Sequence, residues 1–231
     1  MITIYGSIMS PYVRKVLMAL EFKKISYKTQ DLKPNIPEDK KQLIKIHPLG
    51  KIPVLKDDQT ILPDSSVICA YLEKKYLDRP LYPTDPGSYA KCIWYEEYAD
   101  SCFINTSRLI FRHSPIISAL LQHKRDINIY KQALYKNLPL CFDYLNNELK
   151  NRYLVDDRLT IADISIFSAF LNLEFIGLNI NKARWGNLVQ YLGNLSTEPC
   201  INIISQRTIK VLNEQYGIIN KENMIDVTLL N

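Results

Sequence analysis

Residues 2–17 read ITIYGSIMSPYVRKVL, and this stretch decides the fold of the first part of the chain. The β-branched and aromatic residues 2–5 are typical of a strand. Apolar residues then recur at i, i+3, i+4 and i+7, the stripe of an amphipathic helix, in Val13, Val16, Leu17 and Leu20. Ser10 stands in the N-cap position and Pro11 at N1, where its missing N–H has no intrahelical acceptor. The stretch predicts a strand and then a helix that begins beside Ser10.

Strand and helix signals go on alternating as far as residue 76. We predict a strand at 26–31, a helix at 38–46, a hairpin of strands 53–56 and 60–62, and a helix at 65–76. The three prolines in the stretch 77–87 are incompatible with a helix interior. The sequence therefore predicts an α/β domain over residues 1–80 and a linker at 81–87.

The remainder of the chain carries only helical periodicity, which predicts an all-helical bundle over 88–231. We place its helices near 88–112, 124–150, 160–175, 183–197 and 199–216, with a polar tail after residue 217. The fourteen residues from Thr160 have apolar side chains on nearly every side, which predicts a buried central helix. Thr160 and Asp163 match a capping-box variant in which Asp163 reaches back to the helix start.

The chain has 231 residues, of which 47% are hydrophobic and 23% charged, as in ordinary globular proteins. Residues 1–80 hold 14 Lys and Arg against 9 Asp and Glu, so the net charge of +5 lies entirely in this part, the rest balancing at 15 against 15. This excess is too small for a nucleic-acid surface; it fits either an ordinary solvated surface or a site for a small anionic ligand. Nucleic acid is therefore not expected as a partner. A membrane is not expected either, because no apolar run is long enough to span a bilayer.

Other kinds of site find little support in the sequence. The five cysteines are scattered and never form a C-x-x-C pair, so we expect no disulfide framework, no zinc or other metal, and buried thiols instead. No phosphate-binding glycine motif is present. The opening residues lack a secretory pattern, and a cytoplasmic location is expected.

Four segments, taken together and in order, resemble the cytosolic glutathione S-transferase family, specifically its serine-type theta-, phi-, tau- and bacterial-like members. They are SPYVRKV at 10–16, HPLGKIPVL at 47–55, PDSSVI at 63–68 and LTIAD at 159–163. The resemblance implies a thioredoxin-like α/β N-terminal domain followed by an all-α helical domain. It also implies glutathione as co-substrate.

The family's functional residues carry over position by position. Ser10 matches the serine whose hydroxyl donates a hydrogen bond to the glutathione sulfur and favours the thiolate, with Ser7 and Tyr5 as alternatives. A helix N-terminus suits that anion on physical grounds. The alternative for Ser10 is that it only caps its helix.

The resemblance assigns the rest of the glutathione site to three segments. Ile52 would pair its backbone with the cysteinyl unit ahead of a cis Pro53. Lys51 would add positive charge, and the alternative is that it is only a solvated lysine at the strand edge. Asp64 would bind the α-ammonium of the γ-glutamyl end and Ser65, as a helix N-cap, its carboxylate. Either Lys40 or Lys41 could reach the glycine carboxylate.

These assignments imply a homodimeric detoxification enzyme that conjugates glutathione to a small hydrophobic electrophile, with possible peroxidase activity. Aromatic residues that could line the electrophile pocket of the helical domain are Tyr95, Tyr98, Phe103 and Phe111. An aromatic stripe of this kind is more often core. Two alternatives stay open on the same scaffold: a non-catalytic interaction protein resembling the stringent starvation proteins, and a glutathione-dependent isomerase or reductive dehalogenase.

Overall fold

The computed structural model describes residues 1–216, and the chain divides into two compact units between Pro83 and Thr84. The first unit alternates strands and helices as predicted. Within residues 1–83 the elements are β1 (Ile2–Tyr5), α1 (Pro11–Lys23), β2 (Tyr27–Gln30), α2 (Pro37–Ile44), β3 (Val54–Asp57), β4 (Thr60–Pro63) and α3 (Ser65–Lys75).

The strands form one mixed sheet in the order β2-β1-β3-β4. β1 and β2 are parallel, while β1 pairs antiparallel with β3 and β3 antiparallel with β4. The parallel pair needs a crossover, and α1 provides it. The predicted combination of a small α/β domain and a helical domain is confirmed as the fold class.

The core of the first unit forms because each element buries one apolar face. Ile2 and Ile4 alternate with more exposed residues along β1, the period expected of a strand. The apolar stripe predicted for α1 is fully buried, and α3 contributes Ile68 and Leu72 to the core. Burying side chains of this size stabilises a fold by about 1.5–3 kcal/mol each.

The second unit is helical over its described residues, 84–216. Its α-helices are α4 (Pro86–Tyr98), α5 (Ile104–His113), α6 (Pro115–Leu120), α7 (Ile127–Gln132), α8 (Leu138–Glu148), α9 (Ile161–Phe175), α10 (Gly186–Ser196) and α11 (Pro199–Tyr216). Two π-helical turns, Ala99–Phe103 and Ala133–Asn137, interrupt the helices predicted at 88–112 and 124–150. The predicted tail after residue 217 lies outside the described residues.

Two boundaries differ from the prediction for identifiable reasons. The predicted linker extended to residue 87, but α4 already begins at Pro86, because Asp85 caps the helix and proline is tolerated at N1. The short helix α6 was not predicted. Ser114 and Pro115 start it in the same way, with the Ser114 hydroxyl accepting a hydrogen bond from the Ile117 amide.

Helix α9 is buried on nearly all sides, as its continuous apolar sequence predicts. Asp163 reaches back and accepts hydrogen bonds from the Thr160 amide and hydroxyl, both at 2.9 Å. It also accepts from the Leu154 amide at 3.0 Å and the Tyr191 hydroxyl at 2.9 Å. This buried carboxylate therefore joins the start of α9 to the preceding loop and to α10.

The cysteines do not all follow the prediction that they are buried. Cys69, Cys92, Cys141 and Cys200 are buried, whereas Cys102 is exposed. Cys102 lies in the first π-helical turn, which changes the phase of the helix and leaves this side chain on the surface. Among residues 1–216, no helix combines the length and apolar character that a bilayer crossing requires.

Candidate glutathione-binding site

The sheet register brings the predicted site segments together at one end of the sheet, where β1 and β4 finish and β3 starts. Tyr5 at the end of β1 is opposite Val54 at the start of β3, and Val54 is opposite Pro63 at the end of β4. The residues just beyond the ladder are therefore neighbours: the loop from residue 6 towards Ser10, then Pro53, then Asp64. Segments that are distant in the sequence meet because adjacent strands run antiparallel.

Ser10 occupies the N-cap position of α1 with an extended backbone, as predicted, but its hydroxyl makes no capping hydrogen bond. Its side chain is half-buried. The backbone holds the position, because the Ser10 amide donates to the Ser7 carbonyl and the Ser10 carbonyl accepts from the Arg14 amide, both at 3.0 Å. The hydroxyl thus lies at the positive end of α1 and is not used for the cap.

Arg14 braces the turn that carries Ser10, and the sequence analysis missed this role. The side chain is fully buried, and one guanidinium nitrogen donates to the carbonyl oxygens of Ile8 at 3.2 Å and Met9 at 3.0 Å. Burial lowers the pKa of Arg14 to about 9. The amphipathic pattern placed Arg14 on the polar face of α1, so no sequence signal marked it as internal.

The two alternatives to Ser10 have structural roles in the same region. The Ser7 hydroxyl accepts a hydrogen bond from the Met9 amide at 3.5 Å, within the turn. Tyr5 packs against the small apolar cluster formed by Leu32, Leu43 and Val54. The structure therefore leaves Ser10 as the one of the three whose side chain lies at the N-terminus of α1.

The Ile52–Pro53 peptide bond is cis, as the resemblance implied. Ile52 lies just outside the hydrogen-bonded register of β1 and β3, while Lys51 is exposed. Gly6 packs against this segment: a Cβ added at Gly6 would lie 2.9 Å from Ile52 Cβ and 2.8 Å from Val13 Cγ2. Only glycine lets the loop after β1 approach the cis-proline segment this closely.

The third segment begins α3, and here the structure corrects the sequence analysis by one position. Asp64, not Ser65, is the N-cap: its carboxylate accepts from the Ser66 amide at 2.9 Å and the Val67 amide at 3.2 Å. Asp64 has φ of 75°, an unusual conformation for a residue other than glycine. Ser65 is the first helical residue and is 3% exposed. Residues held in such backbone conformations cluster at functional sites.

Lys15 supports the start of α3 from α1, another contact that the sequence analysis missed. Its side chain is fully buried, and its ammonium donates a 2.8 Å hydrogen bond to the Ser66 hydroxyl. The amphipathic pattern again predicted an exposed residue. A buried positive charge at the N-terminus of α3 reinforces the preference of that terminus for an anion.

Lys40 contacts the loop 47–52 that precedes cis Pro53. Its ammonium donates to the carbonyl oxygens of Leu49 at 2.9 Å and Gly50 at 3.0 Å. An ammonium has three N–H donors, so two structural bonds leave capacity for a carboxylate. Burial, and then the positive charges of Lys51 and Lys40, lower the pKa of His47. Positive charge is therefore concentrated around this loop.

The four aromatic residues proposed for an electrophile pocket divide into two groups. Tyr95 is buried, with its hydroxyl donating to Glu148 at 2.7 Å, and Phe103 is buried against Phe142. Both belong to the interior of the second unit, as the core alternative predicted. Tyr98 and Phe111 are only half-buried, so they are not part of the fully buried interior.

This end of the sheet in the first unit combines the features that bind an anionic peptide. The N-termini of α1 and α3 present the positive ends of their helix dipoles, and at α3 the Ser66 and Val67 amides already donate to Asp64. Between them lies a segment of backbone outside the sheet ladder, flanked by lysines. Among the described residues, no group of three or more potential ligating side chains could hold a metal ion.

Comparison with known proteins identifies the family. The family model for the glutathione S-transferase N-terminal domain matches residues 4–80, and the family model for the corresponding C-terminal domain matches residues 110–199. The chain therefore belongs to the glutathione S-transferase family, and it is a glutathione transferase.

Similar proteins come from several kingdoms. The chain is 26% identical to glutathione S-transferase 1 of Manduca sexta over 205 residues, covering 84% of this chain and 87% of that protein. It is 45% identical to the chloroplastic glutathione S-transferase DHAR3 of Arabidopsis thaliana over 159 residues, 68% of this chain and 52% of the relative. The crystal structure of glutathione transferase F2 from Populus trichocarpa has a TM-score of 0.79 at 22% identity, covering 91% of this chain and 100% of its own. FzlA from C. crescentus has a TM-score of 0.78 at 19% identity, with coverage of 88% and 91%, and this likeness concerns the fold.

Proposed function

We propose that this glutathione transferase uses Ser10 to stabilise the thiolate of bound glutathione for attack on a small hydrophobic electrophile. The observation that carries this proposal is the Ser10 hydroxyl at the N-terminus of α1, which caps nothing and lies at the positive end of the helix. A free thiol with a pKa of ~8.5 is ~3% ionised at pH 7, and lowering that pKa by ~2 units gives ~75% thiolate.

The mechanism depends on which protonation state of the glutathione sulfur the neighbouring groups stabilise. A hydroxyl that donates to sulfur stabilises the thiolate more than the thiol, because the charged acceptor forms the stronger hydrogen bond. The thiol proton is released to solvent, and the sulfur then bonds to the electrophilic atom as the leaving group departs. The Arg14 brace holds the Ser7–Ser10 turn, so that the hydroxyl is preorganised before the substrate binds.

The rest of glutathione would bind at the same end of the sheet. The backbone of Ile52 pairs with the cysteinyl unit as an added strand, in the segment fixed by cis Pro53. Asp64 binds the α-ammonium, and Ser65 binds the γ-glutamyl carboxylate at the start of α3. Lys40 or Lys51 balances the glycine carboxylate, and the exposed Lys41 remains an alternative.

The second substrate would be a small hydrophobic electrophile, for which the half-buried Tyr98 and Phe111 are the remaining candidate contacts. The same thiolate would reduce an organic hydroperoxide to an alcohol, becoming a sulfenic acid that a second glutathione converts to glutathione disulfide and water, and this is the proposed peroxidase activity. Homodimerisation, a role in detoxification and a cytoplasmic location are further parts of the proposal that come from the family resemblance.

The test measures glutathione affinity by calorimetry and conjugation with 1-chloro-2,4-dinitrobenzene for the full chain and its variants. Ser10→Ala should leave affinity within a few-fold and lower kcat by about 10 to 100-fold, the effect of losing one donor to a developing anion. Ser196→Ala, an exposed serine in the second unit, is the matched control and should change neither value.

Other results would point to the alternatives. Unchanged turnover in Ser10→Ala together with reduced turnover in Ser7→Ala or Tyr5→Phe would transfer the role to one of those residues. Failure to bind glutathione at millimolar concentration would favour the non-catalytic interaction protein. Binding without conjugation, but with isomerisation of a double bond, would favour the isomerase.

A further inference from the structure

Two cysteines of the second unit lie next to each other although they are 39 residues apart in the sequence. The sulfur of Cys102, in the π-helical turn Ala99–Phe103, is 3.9 Å from the sulfur of Cys141 on α8. The sulfur atoms must approach by only about 2 Å more to reach the bonding distance of a disulfide. We propose that Cys102 and Cys141 form a reversible redox-modification site, oxidised by hydroperoxides to an intrachain disulfide.

The two thiols differ in a way that gives each a separate role. Cys102 is exposed, so it meets the oxidant first, whereas Cys141 is only 3% exposed. Burial raises the pKa of Cys141 to about 11, which keeps it a neutral thiol until its partner has reacted. This is the usual division between an accessible sensing cysteine and a resolving cysteine beside it.

Polar groups around the pair can support the proton transfers. The Tyr98 hydroxyl interacts with both sulfur atoms, and the Cys141 sulfur lies 4.0 Å from the Thr106 hydroxyl. The surroundings raise the pKa of Tyr98, first through burial and then through the two thiols. Tyr98 therefore remains a neutral hydroxyl that can accept one hydrogen bond and donate another.

The reaction balances with a hydroperoxide as the oxidant. The Cys102 sulfur attacks the hydroperoxide, the O–O bond breaks, and Cys102 becomes a sulfenic acid while the alcohol or water leaves. The Cys141 sulfur then attacks the Cys102 sulfur, the S–O bond breaks, and the hydroxide leaves as water with the proton of the Cys141 thiol. Two electrons pass from the two sulfurs to the peroxide, and a dithiol reagent reverses the change.

Oxidation should also alter an aromatic cluster at the surface. The ring of Tyr98 lies 4.8 Å from that of Tyr144 and 6.3 Å from that of Trp94, between ring centres. The Trp94 indole donates a 2.7 Å hydrogen bond to the Tyr144 hydroxyl. Since the disulfide would replace the two thiols that contact Tyr98, the fluorescence of Trp94 should report its formation. A Trp94→Phe variant separates this signal from that of Trp185.

The experiment treats the reduced full chain with hydrogen peroxide in the absence of glutathione, so its result is independent of the proposed transferase mechanism. Chymotryptic peptides are then mapped by mass spectrometry, because cleavage at Trp94 and Tyr95 separates Cys92 from Cys102. We expect a linked Cys102–Cys141 peptide that dithiothreitol releases.

Three variants make the outcome decisive. Cys102→Ser, at an exposed position that does not endanger folding, should abolish the linked peptide, and Cys200→Ala should leave its yield unchanged. Cys141→Ala should leave Cys102 trapped as a sulfenic acid. Recovery of wild-type Cys102 only as a sulfinic acid or as a link between two chains, with Cys141 still a free thiol, would overturn the proposal.

Discussion

The buried ammonium of Lys15 on α1 donates a 2.8 Å hydrogen bond to the hydroxyl of Ser66 in the first turn of α3. Ser10 is the N-cap residue of α1, and Ser65 precedes Ser66, so this bond connects the segment proposed to hold the sulfur with the segment proposed to hold the γ-glutamyl end. The spacing between the two helix N-termini is thereby fixed from inside the first unit.

Replacing Lys15 with Met should loosen this connection. We expect the free energy of unfolding to fall by about 2 kcal/mol, since a charged hydrogen bond is lost in a buried place. We also expect KM for glutathione to rise, because the start of α3 is less well fixed. Denaturant unfolding and steady-state kinetics measure the two effects. Lys28→Met, an exposed lysine of β2, is the control, and equal behaviour of the two variants would remove Lys15 from this role.

Ser65 should act on binding rather than on chemistry. Its proposed contact with the γ-glutamyl carboxylate is the same in the ground state and the transition state, so Ser65→Ala should raise KM for glutathione with kcat unchanged. A lost hydrogen bond to a charged group corresponds to roughly a ten-fold or larger change in affinity. A reduced kcat with unaltered KM would instead assign Ser65 to the chemical step.

Much of the fold was predictable because its signals are local. The strand and helix of residues 2–17 follow from β-branched residues, an apolar stripe and a Ser-Pro start, and the buried helix α9 follows from its uniform hydrophobicity. The cis Ile52–Pro53 bond was accessible only through the family resemblance, since most X-Pro bonds are trans.

Other features were not predictable from local patterns. Arg14 and Lys15 are polar positions of an amphipathic helix, and only tertiary packing shows that both are buried and donate to Met9 and Ser66 respectively. The two π-helical turns leave no local sequence signature, so the position of Cys102 against Cys141 could not be anticipated. Tyr95 and Phe103 differ from these residues, because an aromatic stripe on a helix is more often core, and both side chains are buried.

The pH dependence of stability should reflect Asp57 in the hairpin strand β3. Its carboxylate accepts hydrogen bonds from Lys75 and from Tyr71, and the bond from Lys75 is the main cause that lowers the pKa of Asp57. An acid with a lowered pKa stabilises the fold above its unfolded pKa and loses this contribution as the pH falls through the folded one. The free energy of unfolding of the wild type should therefore fall below about pH 4, and Asp57→Asn should show a smaller change over that range. Parallel curves for the two proteins would contradict this assignment.

Asp163 should matter for folding and not for chemistry. It accepts four hydrogen bonds inside the second unit, and its removal leaves the Thr160 and Leu154 amides without their acceptor. We expect Asp163→Ala to lower the free energy of unfolding by about 3 kcal/mol or more, measured by denaturant titration. Asp157→Ala, an exposed aspartate nearby, should have almost no effect. An Asp163→Ala protein as stable as this control would contradict the role of the cap.

The central claim is that the Ser10 hydroxyl at the N-terminus of α1 makes bound glutathione ionise, and an ultraviolet difference spectrum of the complex tests it most directly. At neutral pH and saturating glutathione, the wild-type protein should show the absorbance of a thiolate, with an apparent thiol pKa about 2 units below that of free glutathione. Ser10→Ala should bind glutathione and lose most of this absorbance. A wild-type complex without thiolate absorbance, or an unchanged spectrum in Ser10→Ala, would contradict the account.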